Sequence, residues 1–155
     1  MTTVVANLEG MAADTRVSVD GSAFYHANKI FRIGNSLFGT AGDGMMCLVM
    51  LEWLRSSQRS RHALYRHWTE NTERSACWLL ELSPGGLFIW DGWGCPEKIN
   101  EKRYAIGSGQ LPALTKLDDG GSLEDAVRAG AKYDQYSGLP IQVEWLKTVP
   151  GKRKR

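Results

Sequence analysis

Short runs of β-forming residues, joined by glycine-rich turns, constrain the fold of this chain more than any other feature. The sequence holds 17 glycines, and most of them lie in turn-like groups. Runs that alternate or favour β-structure on both sides of a tight turn are typical of hairpins. Three such pairs are predicted, 3–6 with 11–13, 29–33 with 36–40, and 76–82 with 87–90. Strands that arrive as hairpins form largely antiparallel sheets, which helices then cover.

Helical segments are predicted between and after these hairpins. In segment 45–57 apolar residues recur at three- and four-residue steps, which indicates a helix with one buried face, and Asp43 can cap its start. Segment 111–117 and segment 122–136 are the next two, and the latter opens on a pattern close to a capping box. The stretch 59–74 is polar, basic and aromatic, and is compatible with a helix or a long loop.

Length and composition place the chain among ordinary globular domains. At 155 residues it is predicted to form one domain, 1–155, with a basic tail at 150–155. The hydrophobic fraction of 43% and the charged fraction of 23% are close to globular averages. A net charge of +2 is too small to predict a nucleic-acid partner.

Cysteine usage and the lack of targeting patterns predict the compartment. The three cysteines share no metal-ligand spacing, so they are interpreted as reduced thiols, and no metal or cofactor is expected. The chain start does not resemble a signal peptide, and the longest apolar run, 45–51, is too short to span a bilayer. We therefore expect a soluble cytoplasmic protein without a membrane partner.

The start of the chain carries residues suited to nucleophilic chemistry. Thr2 follows Met1 directly, and a small second residue favours removal of the initiator methionine. Thr2 would then hold a free α-amine and a hydroxyl, which is a nucleophile supplied with its own base. A hairpin turn at 8–9 is expected to place Thr2 across the ladder from Asp14. Asp14 and Lys29 remain compatible with a catalytic site or with a structural ion pair.

Several segments together carry a resemblance. The chain contains, in this order, TTVVA, AADTRVS, KIFRIG, FGTAGD, LFIWDG, AIGSG and SLEDAV…YDQYSGLPIQV. Their order and spacing resemble the proteasome β-subunit superfamily, in particular its small bacterial and phage-type members related to the HslV peptidase. The resemblance covers roughly residues 2–147. It implies an α+β fold, the four-layer αββα sandwich of N-terminal nucleophile hydrolases, with mostly antiparallel sheets.

The resemblance also implies roles for matched positions. Thr2 corresponds to the catalytic N-terminal threonine, Asp14 to the family aspartate and Lys29 to the family lysine. Gly42 matches the glycine whose backbone N–H faces the oxyanion. The trio that supports the threonine corresponds to Ser108, Asp134 and Ser137. Positions near the family's substrate pocket are Val17, Phe31 and Thr40, which implies a mainly apolar pocket.

The function implied by the resemblance is a threonine-type peptidase. It would act on peptides or unfolded proteins inside a homo-oligomeric ring, with an ATP-dependent unfoldase as a further partner. An α-amine has a pKa near 7.7–8.0, so it can accept the proton of the attacking hydroxyl near neutral pH. The backbone N–H of Gly42 would stabilise the tetrahedral oxyanion.

Two departures from the family pattern keep other hypotheses open. The opening hairpin is a few residues shorter than in typical members, although removal of an even number split between both strands preserves which face each side chain occupies. Gln110 stands where many members have a second glycine after Ser-Gly. A catalytically inactive assembly protein that keeps the sandwich and ring is the second hypothesis. An N-terminal nucleophile amidase acting on a small molecule is the third.

Overall fold

A computed structural model describes residues 2–19, 23–56, 77–92 and 94–147, and the fold is given for these ranges. Met1, the stretch 59–74 and the basic tail 150–155 lie outside the described residues, so the expectations for them stay untested.

Strands dominate the described ranges, with helices inserted at two points. In chain order the elements are β1 (Val4–Asn7), β2 (Gly10–Asp14), β3 (Arg16–Val19), β4 (Ala23–His26), β5 (Ile30–Ile33), β6 (Ser36–Gly42), α1 (Gly44–Arg55), β7 (Cys77–Ser83), β8 (Gly86–Trp90), β9 (Pro96–Ile99), β10 (Arg103–Ile106), α2 (Gln110–Asp118), α3 (Leu123–Tyr133) and β11 (Ile141–Trp145).

The strands form two sheets and a ribbon, and every pairing between them is antiparallel. The first sheet has the order β10-β1-β2-β11. The second has the order β5-β6-β7-β8-β9. Among the strands that the structure describes, β3 and β4 pair only with each other, as a two-stranded ribbon. The expected antiparallel arrangement is confirmed.

Successive side chains along a strand point to opposite faces of its sheet, and this alternation shows how the sheets and helices are layered. On β1, Val4 and Ala6 pack between the two sheets, whereas Val5 packs against α2 and α3 on the opposite face of the first sheet. The outer face of the second sheet is covered by α1 through Met50 and Leu54. The layer order is therefore helices, sheet, sheet, helix, and the αββα sandwich is confirmed.

The turn of the opening hairpin is where the sequence predicts it, but the strand pairing differs. The side-chain Oδ1 of Asn7 accepts hydrogen bonds from the backbone N–H groups of Glu9 and Gly10, both at 2.9 Å. A two-residue turn over 8–9 pairs Val4 with Ala13, so Thr3, not Thr2, lies across from Asp14. The expected pairing of Thr2 with Asp14 was wrong by one residue, because a turn of two residues over 8–9 sets the register that pairs Val4 with Ala13.

Two strands and one helix boundary were not predicted correctly. Strand β4 is short and its sequence does not alternate, and β9 begins with a proline, which is tolerated at a sheet edge. The last helix ends at Tyr133 rather than near 136, with Asp134 at its C-cap. The N-caps Asp43 and Ser122 and the capping box with Asp125 are present, as expected.

Candidate active site

Thr2 and Thr3 are neighbours in sequence but lie on opposite faces of the first sheet. Thr3 faces the helix layer, where its Oγ1 is 2.8 Å from Ser137 Oγ. A Cβ added to Gly109 or Gly130 would overlap the Thr3 side chain, so both glycines are needed for this close packing. Thr2 therefore faces the second sheet, since successive side chains of an extended segment alternate.

Three hydrogen bonds of the site converge on the Oδ1 atom of Asp14. It accepts hydrogen bonds from Thr2 Oγ1 at 2.8 Å, from the backbone N–H of Thr3 at 2.8 Å, and from Lys29 Nζ at 2.9 Å. The Asp14 side chain is fully buried, with 0% exposed. The hydroxyl of Thr2 and the ammonium of Lys29 thus share one buried oxygen.

The second carboxylate oxygen of Asp14 is held by backbone donors. Its Oδ2 accepts from the N–H of Gly138 at 3.0 Å and from the N–H of Arg16 at 3.2 Å. A buried charge needs partners on both oxygens to offset the loss of water. The sequence pattern does not single out Arg16 or Gly138, although Gly138 stands in the Asp-x-x-Ser-Gly segment that carries the resemblance.

Lys29 is largely buried beside Asp14. Its side chain is 8% exposed, and Nζ also donates to the backbone oxygen of Arg16 at 2.6 Å. Burial lowers the pKa of Lys29, while the charges of Asp14 and Asp134 and the hydrogen bond to Asp14 oppose this, and the net pKa lies below its ordinary value. The ammonium therefore releases a proton more readily than a surface lysine does.

Ser108, Asp134 and Ser137 form a second cluster beside the start of the chain. Asp134 Oδ2 accepts hydrogen bonds from Ser108 Oγ and from Ser137 Oγ, each at 2.6 Å. Burial raises the pKa of Asp134, but the hydrogen bonds from the two serines and from the N–H of Tyr136 outweigh it, so the pKa is lowered. Ser108 Oγ also lies 3.5 Å from the backbone oxygen of Thr2, which joins the two clusters.

The turn at 107–109 fits closely around the Thr2 backbone. Gly107 has a φ of +95°, and a Cβ there would overlap the carbonyl group of Thr2. The N–H of Gly109 donates to the same Thr2 oxygen at 3.3 Å. Gln110 begins α2, and its N–H donates to Gly107 O at 3.2 Å. The turn therefore forms although glutamine replaces the glycine that many members of the family have here.

A cavity of about 460 Å³ opens beside Thr2. Its walls include Lys29 from the buried cluster and Gly42, which has a φ of +110° at the end of β6. All three positions taken from the family's substrate pocket line it, namely Val17, Phe31 and Thr40. Further walls come from the apolar side chains of Tyr25, Met45 and Leu48 and from the charged Arg16 and Asp43. The structure thus brings ten sequence-selected residues to two adjoining clusters and one cavity.

Two other kinds of site are not found where the structure describes the chain. Within residues 2–19, 23–56, 77–92 and 94–147, no group of three or more His, Cys, Asp or Glu side chains is placed to hold a metal ion. None of the helices in these ranges is both long and apolar enough to cross a bilayer.

Comparison with known proteins gives matches in structure only. No family model and no curated protein matches the sequence. The structure of BPH from Thiobacillus denitrificans matches at 21% identity, covering 97% of this chain and 99% of that chain with a TM-score of 0.70. The same protein in complex with epoxomicin matches at 22% identity, with 95% and 99% covered and a TM-score of 0.67.

A solved structure from a eukaryote has a similar fold. HslV from Trypanosoma brucei matches at 21% identity, with 95% of this chain and 99% of that chain covered and a TM-score of 0.68. Matches of this length, on proteins from a bacterium and a eukaryote, confirm at the level of the fold the resemblance drawn from the sequence. The chain has the proteasome β-type fold of the HslV-like subunits.

Proposed function

We propose that this protein is a threonine-type peptidase, with Thr2 as its nucleophile once Met1 has been removed. The observation that carries the proposal is the shared oxygen of Asp14, which binds both the Thr2 hydroxyl and the Lys29 ammonium beside a cavity. A hydroxyl held next to a buried cation and an open pocket is suited to attack on a bound carbonyl. The matched fold and the complex of BPH with epoxomicin support the same class of reaction.

The reaction follows from the atoms that the N-terminal residue supplies. Thr2 Oγ bonds to the substrate carbonyl carbon, while the α-amine of Thr2 takes the hydroxyl proton. Collapse of the tetrahedral intermediate breaks the peptide bond, and the ammonium returns the proton to the leaving nitrogen. Water, deprotonated by the same amine, then attacks the ester carbonyl. The ammonium returns this proton to Thr2 Oγ as the ester bond breaks, which releases the acid and restores the hydroxyl. In this scheme the N–H of Gly42 stabilises the oxyanion.

Lys29 and Asp14 set the electrostatics of this step. A buried ammonium favours the alkoxide over the neutral hydroxyl, because opposite charges attract strongly where water is excluded. Asp14 keeps Lys29 in place and holds the Thr2 hydroxyl through the same oxygen. In the proposed mechanism the cluster of Ser108, Asp134 and Ser137 orients the new N-terminus, which the contact of Ser108 with Thr2 O supports.

We also propose that identical copies assemble into a ring in the cytoplasm, fed by an ATP-dependent unfoldase with peptides or unfolded proteins. The likeness to HslV supports this proposal. Large apolar side chains exposed on the described surface also support contacts between copies. They include Phe24 at 57%, Met45 at 68%, Leu111 at 71% and Tyr133 at 71%.

The test combines the mass of the native chain with labelling and turnover. Wild-type protein is expected to lack Met1, to form an adduct with epoxomicin on Thr2 and to hydrolyse a fluorogenic peptide. Thr2→Ala is expected to lose both labelling and turnover. The matched control is Thr115→Ala, because that exposed hydroxyl donates within α2, to Leu111 O at 3.0 Å.

The outcomes separate the three hypotheses. A native chain that keeps Met1, or a Thr2→Ala variant that retains turnover, contradicts the proposal. Ring formation without turnover or adduct in the wild type identifies an inactive assembly protein. A monomer or dimer that hydrolyses a small amide but no peptide identifies an amidase.

A further inference from the structure

One glutamine connects the two sheets at the position of the candidate active-site lysine. Gln142 lies on β11, an edge strand of the first sheet, and its side chain reaches β5, an edge strand of the second. Its Oε1 accepts hydrogen bonds from the N–H of Lys29 at 2.9 Å and of Ile30 at 3.0 Å. Its Nε2 donates to Ile30 O at 2.9 Å.

These three bonds satisfy backbone groups that have no neighbouring strand within residues 2–19, 23–56, 77–92 and 94–147. Strand β6 lies on one side of β5, where the N–H of Thr40 donates to Lys29 O at 2.9 Å. The other side of β5 is the end of the sheet. Lys29 and Ile30 are only 6% and 4% exposed, so their N–H groups would lack partners without Gln142, which is costly in a buried position.

The amide group is chemically matched to this task. Two acceptor bonds and one donor bond are needed at the end of one side chain, and an amide supplies both kinds. A carboxylate of the same length accepts but cannot donate to Ile30 O, and a methionine of similar length makes none of the three bonds. The residue therefore fixes the backbone of Lys29 from a strand 113 positions away in sequence.

We propose that Gln142 is a positioning residue of the candidate active site. By holding the backbone of Lys29, it directs Nζ to Asp14 Oδ1 and to Arg16 O, at 2.9 and 2.6 Å. The inference rests on the proposed function, since it assigns Gln142 a part in placing the cation that activates Thr2. Gln142 itself is not among the residues that line the cavity, and the Thr2 hydroxyl binds Asp14 rather than Gln142.

A second contact between the same strands provides a matched control. Arg32 on β5 donates through Nη2 to Trp145 O on β11 at 2.8 Å and lies 3.7 Å from Glu144 Oε2. It joins the same two edges but makes no contact with Lys29. Arg32→Met therefore removes a bridge between the sheets, whereas Gln142→Met removes a bridge that also holds the lysine.

The experiment compares Gln142→Met with Arg32→Met in the full chain. Both variants are expected to lower the melting temperature. Only Gln142→Met is expected to reduce kcat by about 10–100-fold with KM within about twofold, because displacing a catalytic cation weakens the transition state rather than substrate binding. Equal kcat values in the two variants would overturn the inference.

A second readout does not depend on turnover, and so separates this inference from the proposed function. The pKa of Lys29 Nζ, followed by NMR of labelled lysine, is expected to differ from the wild-type value in Gln142→Met and to stay unchanged in Arg32→Met. The same pKa in all three proteins rejects the positioning role, even if the wild type proves inactive. If Gln142→Met fails to fold, Gln142→Asn replaces it, because the shorter amide adds no charge but ends one methylene short of the backbone groups of Lys29 and Ile30. A changed Lys29 pKa supports the role, and an unchanged pKa counts against it.

Discussion

Two aspartates near Thr2 accept hydrogen bonds from side-chain hydroxyl groups, yet their surroundings differ. Asp14 is fully buried, binds a cation and receives backbone donors on both oxygens. Asp134 is partly exposed and receives two serine hydroxyls. A buried ion pair fails as a unit when one member is lost, whereas water can replace partners of an exposed carboxylate. Changes in the Asp14 cluster are therefore expected to lower stability and activity together. Changes in the Asp134 cluster are expected to lower activity with little loss of stability.

The largest expected effect is on stability, from Lys29→Met. The change leaves the charge of Asp14 buried without its cation, which costs about 3–5 kcal/mol of unfolding free energy. Denaturant titration measures it, with Arg55→Met as control. The exposed pair of Arg55 with Glu52 contributes at most about 1 kcal/mol. If Lys29→Met loses no more unfolding free energy than the control, the buried pair contributes no more than the exposed pair, which contradicts the prediction.

Adding Asp14→Asn to Lys29→Met sharpens the same comparison. The double variant is expected to lose less stability than the sum of the single variants, because neither charge is then left alone in the interior. The measurement is a double-mutant cycle in denaturant. Additive losses would mean that the two side chains act independently.

The second effect concerns activity at the other cluster. Asp134→Asn is expected to lower kcat by about 10–100-fold, since it weakens the two short serine bonds beside Thr2, while the unfolding free energy changes by less than about 2 kcal/mol. Peptide hydrolysis and denaturation of the same preparation measure both quantities. A loss of stability as large as that of Lys29→Met would remove the distinction between the clusters.

A smaller effect is expected from Thr3→Val, which tests the tie between the N-terminal strand and Ser137. Valine keeps the shape of threonine but cannot bind Ser137 Oγ, so about 1 kcal/mol of unfolding free energy is lost. Thermal denaturation measures the change. Labelling of Thr2 by epoxomicin is expected to persist. Loss of labelling would show that the contact of Thr3 with Ser137 is required for the reactivity of Thr2.

The smallest effect is the pH dependence of stability. The Lys29 pKa is lowered by burial, whereas the Asp134 pKa is lowered by hydrogen bonds that outweigh burial. The pKa of Lys29 is lowered on folding, so between that value and 10.5 the unfolded chain binds more protons and stability rises with pH. The pKa of Asp134 is also lowered, so its contribution is present above 3.8 and is lost as the pH falls through the folded value. Denaturation across pH measures both. Asp134→Asn is expected to remove the acid component and to lower the pKa of Lys29 further, because the charge of Asp134 raises that pKa.

The local elements were largely predictable, and the errors have physical reasons. Hairpins around Gly34-Asn35 and Pro84-Gly85 and the capped helix α1 follow from turn residues and apolar spacing. Strand β9 has no alternating pattern. The position of the opening turn was predicted, but the pairing of Thr3 with Asp14 also depends on the number of residues in that turn.

The site was predictable only in part. The family resemblance pointed to residues that the structure places together, while their catalytic roles stay predictions. Gln142 and Gly138 were missed because their contacts join segments more than 100 positions apart. No local pattern reports such a contact, since it exists only once the two sheets face each other.

The opposite orientations of Thr2 and Thr3 have a consequence for maturation. Two threonines follow Met1, and a chain trimmed one residue too far would still begin with threonine. Its hydroxyl, however, would be held by Ser137 between Gly109 and Gly130, away from Lys29. In the proposed mechanism such a protein has the right terminal residue and no working nucleophile. In that mechanism, processing therefore has to be accurate to a single residue.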